Sequence, residues 1–248
     1  LVTQELSLAV LPLFPPMSLW SPSSVPAVLT DVDTNSTTLG VRFKSLVRGQ
    51  VNGIRFYKGT ANNGTHTGQL WATNGTLLAA VTFSNETSTG WQQALFTTPV
   101  TINSNVDYLA SYFAPLGRYS KTENYFLSNG TTNLPLIASP NTANAPNGVY
   151  RYGTNAFPTN TFASTHYWVD VVFQPNNAPV LPLQTNRTVP ELSLLAVTNT
   201  ASDSDIPENT LAYSLIGAPT NASITSNGII TWTPTEAHGP GTNTIITV

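Results

Sequence analysis

The sequence contains no cysteine at all. That excludes disulfides, thiolate metal sites and cysteine nucleophiles together. Charge is scarce too: Asp, Glu, Lys and Arg make up 8% of the 248 residues, against about a quarter in an average globular chain. The formal net charge is −3, so no basic footprint points to nucleic acid or to an anionic membrane surface. No apolar run approaches the roughly 18 residues of a membrane span; residues 6–14 form the nearest one, and Pro12 interrupts it. Histidine occurs three times, as His66, His166 and His238, none in zinc-protease spacing. Neither a Gly-X-Ser-X-Gly elbow nor a phosphate loop is present, and the few carboxylates are mostly isolated. The expectation is therefore a protein without catalytic function.

What fills the chain instead is Thr, Ser and Asn around a 40% hydrophobic, 10% aromatic content. That is enough apolar material to bury a core, and the composition suits an extracellular or cell-surface β-protein. Asn-X-Ser/Thr triplets begin at Asn35, Asn63, Asn74, Asn85, Asn129, Asn186 and Asn221. A chain this rich in Asn, Ser and Thr yields about six such triplets by chance, so they are acceptors available for glycosylation and no evidence of it. The sequence opens without a Met or a signal peptide, as a processed or trimmed chain would.

Helical periodicity is absent beyond a turn or two. Short alternating runs separated by Gly, Pro, Asn and Asp predict an all-β chain of sandwiches. Leu39, Val41 and Phe43 alternate with Gly40, Arg42 and Lys44; Ile54 and Phe56 alternate with Arg55 and Tyr57. Residues 69–73 and 76–83 flank Asn74-Gly75, which predicts a hairpin closed by a type I′ turn. Further strands are expected at 91–97, 108–113, 149–152 and 167–173. In the last, Val169, Val171 and Phe173 face one way, and Trp168 and Asp170 the other. Residues 175–179 (PNNAP) read as a linker, so the expected organisation is an arm at 1–17, a sandwich at 18–174 and a second sandwich at 180–248. Strands at 192–197, 211–216 and 229–232 belong to the second.

Several blocks carry a family likeness: 18–20 (SLW), 39–43 (LGVRF), 53–59 (GIRFYKG), 64–71 (GTHTGQLW), 90–92 (GWQ), 108–112 (YLASY), 148–150 (GVY) and 167–173 (YWVDVVF). In this order they resemble a family of secreted bacterial modules known as a domain of unknown function (family 4082). The resemblance implies a jelly-roll-like β-sandwich and no established activity. Residues 177–179 (NAP), 189–191 (VPE), 201–205 (ASDSD), 211–215 (LAYSL) and 228–234 (GIITWTP) are similar to the cadherin-like or immunoglobulin-like modules repeated in bacterial surface proteins. Modules of that kind run on for one more strand after the segment matching 244–248. The second sandwich is thus expected to lack its last strand and to expose an edge.

Three binding functions follow. Asp203 and Asp205, two residues apart, with Glu191 and Asn177 in family-like positions, are candidate calcium ligands, since Ca²⁺ takes six to eight oxygens; Asp31 and Asp33 form a second pair. Exposed aromatic side chains stack on sugar rings while amides and carboxylates hold the hydroxyls; Tyr119, Tyr125, Tyr150, Tyr152 and Trp168 are the candidates, with His66 as a polar neighbour. Finally, Leu6, Leu8 and Val10 form a period-two apolar row in the arm. If the arm fills the open edge of the next subunit, the contact repeats head-to-tail and builds a filament. Self-association into an extracellular fibre or surface layer is the first expectation. A carbohydrate-binding accessory region of a larger secreted enzyme or adhesin, with surface glycans as partners, is the alternative.

Overall fold

The computed structural model describes residues 16–176, 178–203, 205 and 210–248, and these form two units that divide between residues 176 and 177. The arm residues Leu6, Leu8 and Val10, and the calcium candidate Asn177, lie outside the described residues. Among the described residues every regular element is a strand, apart from one 3₁₀ turn at Glu236–His238. No helix among the described residues is long and apolar enough to cross a membrane.

Unit one, residues 16–176, is a β-sandwich. Its larger sheet contains β1 (Thr37–Ser45), β3 (Thr67–Ala72), β4 (Leu77–Thr82), β6 (Asp107–Ala114), β7 (Thr131–Asn133), β8 (Leu136–Ala138), β9 (Val149–Tyr152) and β10 (Asn160–Thr161). The order is β10-β9-β1-β6-β3-β4; β8 also pairs with the end of β1, and β7 with β8. The smaller sheet is β11 (Val169–Pro175), β2 (Gly49–Lys58) and β5 (Gly90–Ile102), in the order β11-β2-β5. All pairings are antiparallel.

Alternation explains which face is buried. Leu39, Val41 and Phe43 of β1, Ile54 and Phe56 of β2, and Val169, Val171 and Phe173 of β11 all enter one apolar cluster. Phe56 lies at its centre, stacked on Tyr112 at 4.2 Å and edge-on to Phe83. The residues between them are not all exposed. Arg55 and Asp170 are both buried and pair at 2.8 Å on the opposite face of the small sheet. Asp170 also accepts the backbone N–H groups of Leu19, Trp20 and Val171 (2.8, 3.0 and 2.7 Å). Arg55 donates to the Trp20 carbonyl and lies over the Trp91 ring. A buried ion pair is tolerable only when its remaining hydrogen-bonding positions are filled this way, and here it staples the chain entering the unit to β2 and β11.

Two expectations change. The 69–83 hairpin forms, but only Gly75 takes positive φ; Asn74 does not, so the turn is not type I′. Gly75 N–H donates to Ala72 O and Ala72 N–H to Thr76 O, while the Asn74 side chain accepts Thr76 N–H. This is the longer hairpin loop with glycine in the left-handed position, and the register slips at Leu70/Trp71 to absorb it. The strand expected from 167 starts only at Val169, because Trp168 has φ 55°. Tyr167 and Val169, two residues apart, nevertheless both enter the core.

Unit two, residues 178–248, is built from shorter pieces: β12 (Leu195–Thr198), β14 (Ser223–Ile224) and β15 (Ile229–Trp232) in the order β12-β15-β14, with β13 (Leu215–Ile216) paired to β16 (Ile246–Thr247). The run expected at 211–216 supplies only two strand residues.

Candidate functional site

The segment before β1 carries Asp31 and Asp33. Each carboxylate accepts a backbone N–H two residues on: Asp33 N to Asp31 Oδ1 (2.8 Å), and Asn35 N to Asp33 Oδ1 (2.9 Å). Consecutive Asx turns of this kind fix a short polar stretch without a sheet ladder. The stretch is tied to the 117–121 segment by Asp31 N to Tyr119 O and Arg118 N to Asp33 O. Gly117, at φ +62°, permits that approach, because a Cβ there would strike the Asp33 carbonyl.

Around this stretch gather Tyr119, Lys121, Tyr150, Tyr152, Phe162, Thr165 and Tyr167, which with Asp31 and Asp33 line an open cleft of about 280 Å³. β9 presents Tyr150 and Tyr152 on one face, two residues apart, while Val149 packs on the other face against Trp71. The rings form an edge-to-face series: Tyr152 to Tyr150 at 5.3 Å, Tyr150 to Tyr167 at 6.2 Å, and Tyr167 to Tyr119 at 5.7 Å. Tyr119, Thr165 and Tyr167 are buried at the floor, whereas Tyr152 and Phe162, 49% and 58% exposed, stand at the rim.

The polar groups are unequally committed. Asp33 Oδ1 takes both Asn35 donors (2.9 and 2.7 Å), and Oδ2 takes the phenols of Tyr152 (2.7 Å) and Tyr119 (3.2 Å). A carboxylate offers about four acceptor positions, so Asp33 is full. Burial pushes its pKa up, but the Asn35, Tyr152 and Tyr119 donors outweigh that and hold it below the ordinary carboxylate value. The hydrogen bond to Asp33 in turn raises the Tyr152 phenol, and burial raises Tyr119 and Tyr167. Asp31 Oδ2 pairs with Lys121 Nζ at 2.6 Å, and Lys121 also reaches Glu123 at 2.8 Å. Burial works against the Lys121 ammonium, yet these two carboxylates lift its pKa. Thr165 Oγ1, fully enclosed, makes no hydrogen bond of good geometry, although it lies close enough to temper the rise at Tyr167.

The structure thus gathers Tyr119, Tyr150 and Tyr152 of the candidate sugar-stacking residues and leaves the others elsewhere. His66 is wholly buried: its Nδ1 donates to Glu86 (2.8 Å), its Nε2 lies 2.9 Å from Asn62 Oδ1, and Phe56 covers its ring. Trp168 is 4% exposed and donates Nε1–H to Thr122 Oγ1. Tyr125 is half-buried, its hydroxyl accepting from Trp20 Nε1 at 2.7 Å. These three are packing residues. Phe162, Thr165, Tyr167 and Lys121 were not among the expected site residues.

Of the calcium candidates, Asp31 and Asp33 hold an ammonium and two phenols. Asp203 accepts the Asp205 N–H at 2.9 Å, while Glu191 lines a separate depression of unit two with Trp232 and His238. Among the described residues no three His, Cys, Asp or Glu side chains group to hold a metal.

No curated protein matches the chain. Residues 23–169 match the model of a protein family, a run that covers more than half of the chain and takes in every residue of the cleft from Asp31 to Tyr167. The chain belongs to that family, described as a Domain of unknown function (DUF4082).

Proposed function

We propose that unit one is a carbohydrate-binding module of a secreted or cell-surface protein, and that unit two is an immunoglobulin- or cadherin-like spacer beside it. The observation that carries this reading is the cleft itself: four tyrosines and a phenylalanine converge with two carboxylates and one ammonium in a single open depression. Sugar recognition needs that mixture, because pyranose faces are apolar and stack on aromatic rings while their hydroxyls need charged or amide partners at the edge. The filament reading depends on an arm outside the described residues, and no contact among those residues favours it.

The test is binding of the purified protein to an immobilised panel of bacterial, plant and animal glycans, beside Tyr152→Ala. A defined set of glycans bound by the wild type and lost in the variant supports the proposal. A panel on which the wild type binds nothing, or on which both proteins bind alike, removes it.

A further inference from the structure

We infer that the cleft receives one terminal, uncharged pyranose residue rather than an internal stretch of a chain or an acidic sugar. This inference rests on the glycan reading above and specifies its ligand.

Size is the first argument. At about 280 Å³ the cleft lies just below the roughly 300–1,000 Å³ of sites that enclose a drug-sized ligand. It also has depth: a buried floor of Tyr119, Thr165 and Tyr167 beneath the half-exposed Tyr152 and Phe162. A buried floor beneath two exposed rim rings accepts a single ring entering end-on. A polysaccharide passing through needs a flat row of exposed rings, and here only Tyr152 and Phe162 among the lining aromatics are exposed.

Charge is the second. Two carboxylates face one ammonium, so the lining carries an excess of negative charge. That ammonium is not free to receive an acidic sugar, since Lys121 is already held by Asp31 and Glu123. The Asp31 charge is already balanced by the Lys121 ammonium at 2.6 Å, and Asp33 has no acceptor position left.

Unfilled hydrogen-bonding capacity is the third. Asp31 accepts one bond on each oxygen and retains two positions; Lys121 retains one N–H. Asp33 is therefore a positioning residue: it aims Tyr152 and Tyr119 and does not itself hold the sugar.

The experiment uses the intact chain and a panel in which neutral hexose, uronic acid, sialic acid and glucosamine caps each terminate the same set of internal chains, with methyl glycosides as competitors. Binding should follow the neutral cap whatever lies behind it, be displaced by the matching methyl glycoside, and be weaker by about tenfold or more for the acidic caps. Asp31→Asn should shrink the discrimination against acidic caps, with the melting temperature measured as a check on folding. For the wild type alone, raising salt towards about 1 M should narrow the same gap. Preference for acidic or glucosamine caps, dependence on the internal chain, or an acidic-cap penalty insensitive to both Asp31→Asn and salt would overturn the inference while leaving glycan binding in place. Absence of any bound glycan removes the underlying reading and this inference together.

Discussion

The two units are alike in their scarce charge and abundant Thr, Ser and Asn, but all the chain's aromatic residues except Phe14, Tyr213 and Trp232 lie in unit one, and the units differ in how much they bury. Unit one has strands of up to 13 residues and a continuous core running from Leu39 and Phe43 through Phe56 and Tyr112 to Phe173. Among the described residues of unit two no strand exceeds four residues, and only Val197, Ile230 and Trp232 are buried apolar side chains. Leu183, Leu192 and Leu194 stay largely exposed there. Low charge and abundant Thr, Ser and Asn therefore do not decide stability. Long paired strands do, because each buried alternate residue contributes about 1.5–3 kcal/mol while ordering a short strand costs nearly as much entropy per residue. The cleft belongs to the unit that can hold side chains rigidly.

The sharpest way to break this contrast is Asp170→Ala. It leaves Arg55 charged and buried and strands the N–H groups of Leu19, Trp20 and Val171. Removing one partner of a buried pair costs about 3–5 kcal/mol. Urea denaturation followed by tryptophan fluorescence should show the unit-one transition moved by that amount and the unit-two transition unmoved. A loss under about 1 kcal/mol would mean that the staple is incidental.

Trp232→Ala tests the other side. The ring is 6% exposed, donates to Thr220 O at 3.2 Å and meets His238 edge-on. The truncation costs about 3 kcal/mol, comparable with the whole stability of a domain of about 70 residues. Calorimetry should lose the lower transition entirely while the upper one stays. If unit two still melts cooperatively, its core is larger than these side chains.

Acid provides a graded test. His66 and His166 both have pKa values lowered chiefly by burial, a shift opposed at His66 by Glu86 and unopposed at His166. Trp168 N–H donates to His166 Nδ1, so the neutral ring carries its proton on Nε2, which has no partner. A lowered folded pKa means that the unfolded chain binds the proton first. The stability of unit one is then full above the unfolded value of about 6.5 and falls as pH drops from there towards the lowered pKa values. The slope approaches about 1.4 kcal/mol per pH unit for each histidine. Melting curves between about pH 5 and 7 should show it, and His166→Phe should remove part of it; a flat profile would mean that the rings are hydrated.

How far the fold was legible follows from the same physics. Alternation placed β1, β9 and β15 closely, because burial on one face leaves a period-two record. It misjudged 167–168, where Trp168 takes a left-handed backbone that a bulky residue rarely adopts. Asn74-Gly75 announced a hairpin but not its loop length, which the neighbouring register decides. In the cleft, Tyr150 and Tyr152 were readable as a same-face pair. Lys121, Phe162 and Thr165 were not, since they come from irregular segments brought in by long-range contacts such as Val28 with Lys121 and Thr122 with His166. His66 and Trp168 looked like binding residues because amphipathic rings read alike in sequence whether they pack or project.

The smallest expected effect is the most specific. Tyr152→Phe keeps the rim ring and deletes one bond, the 2.7 Å donation to Asp33 Oδ2. Tyr152 is half exposed, so unit one should lose no more than about 0.5 kcal/mol. If the phenol only decorates the surface, glycan binding should be equally indifferent. If Asp33 aims the ring, the freed side chain samples other rotamers, and restoring the bound one costs affinity without removing any contact to the sugar. A drop of about three- to tenfold in affinity at unchanged melting temperature is the expected result. Tyr152→Ala, which removes the ring as well, must then be worse than Tyr152→Phe. Equal losses would place the whole contribution in the hydroxyl, and no loss in Tyr152→Phe would show that Asp33 orders the loop but not the site.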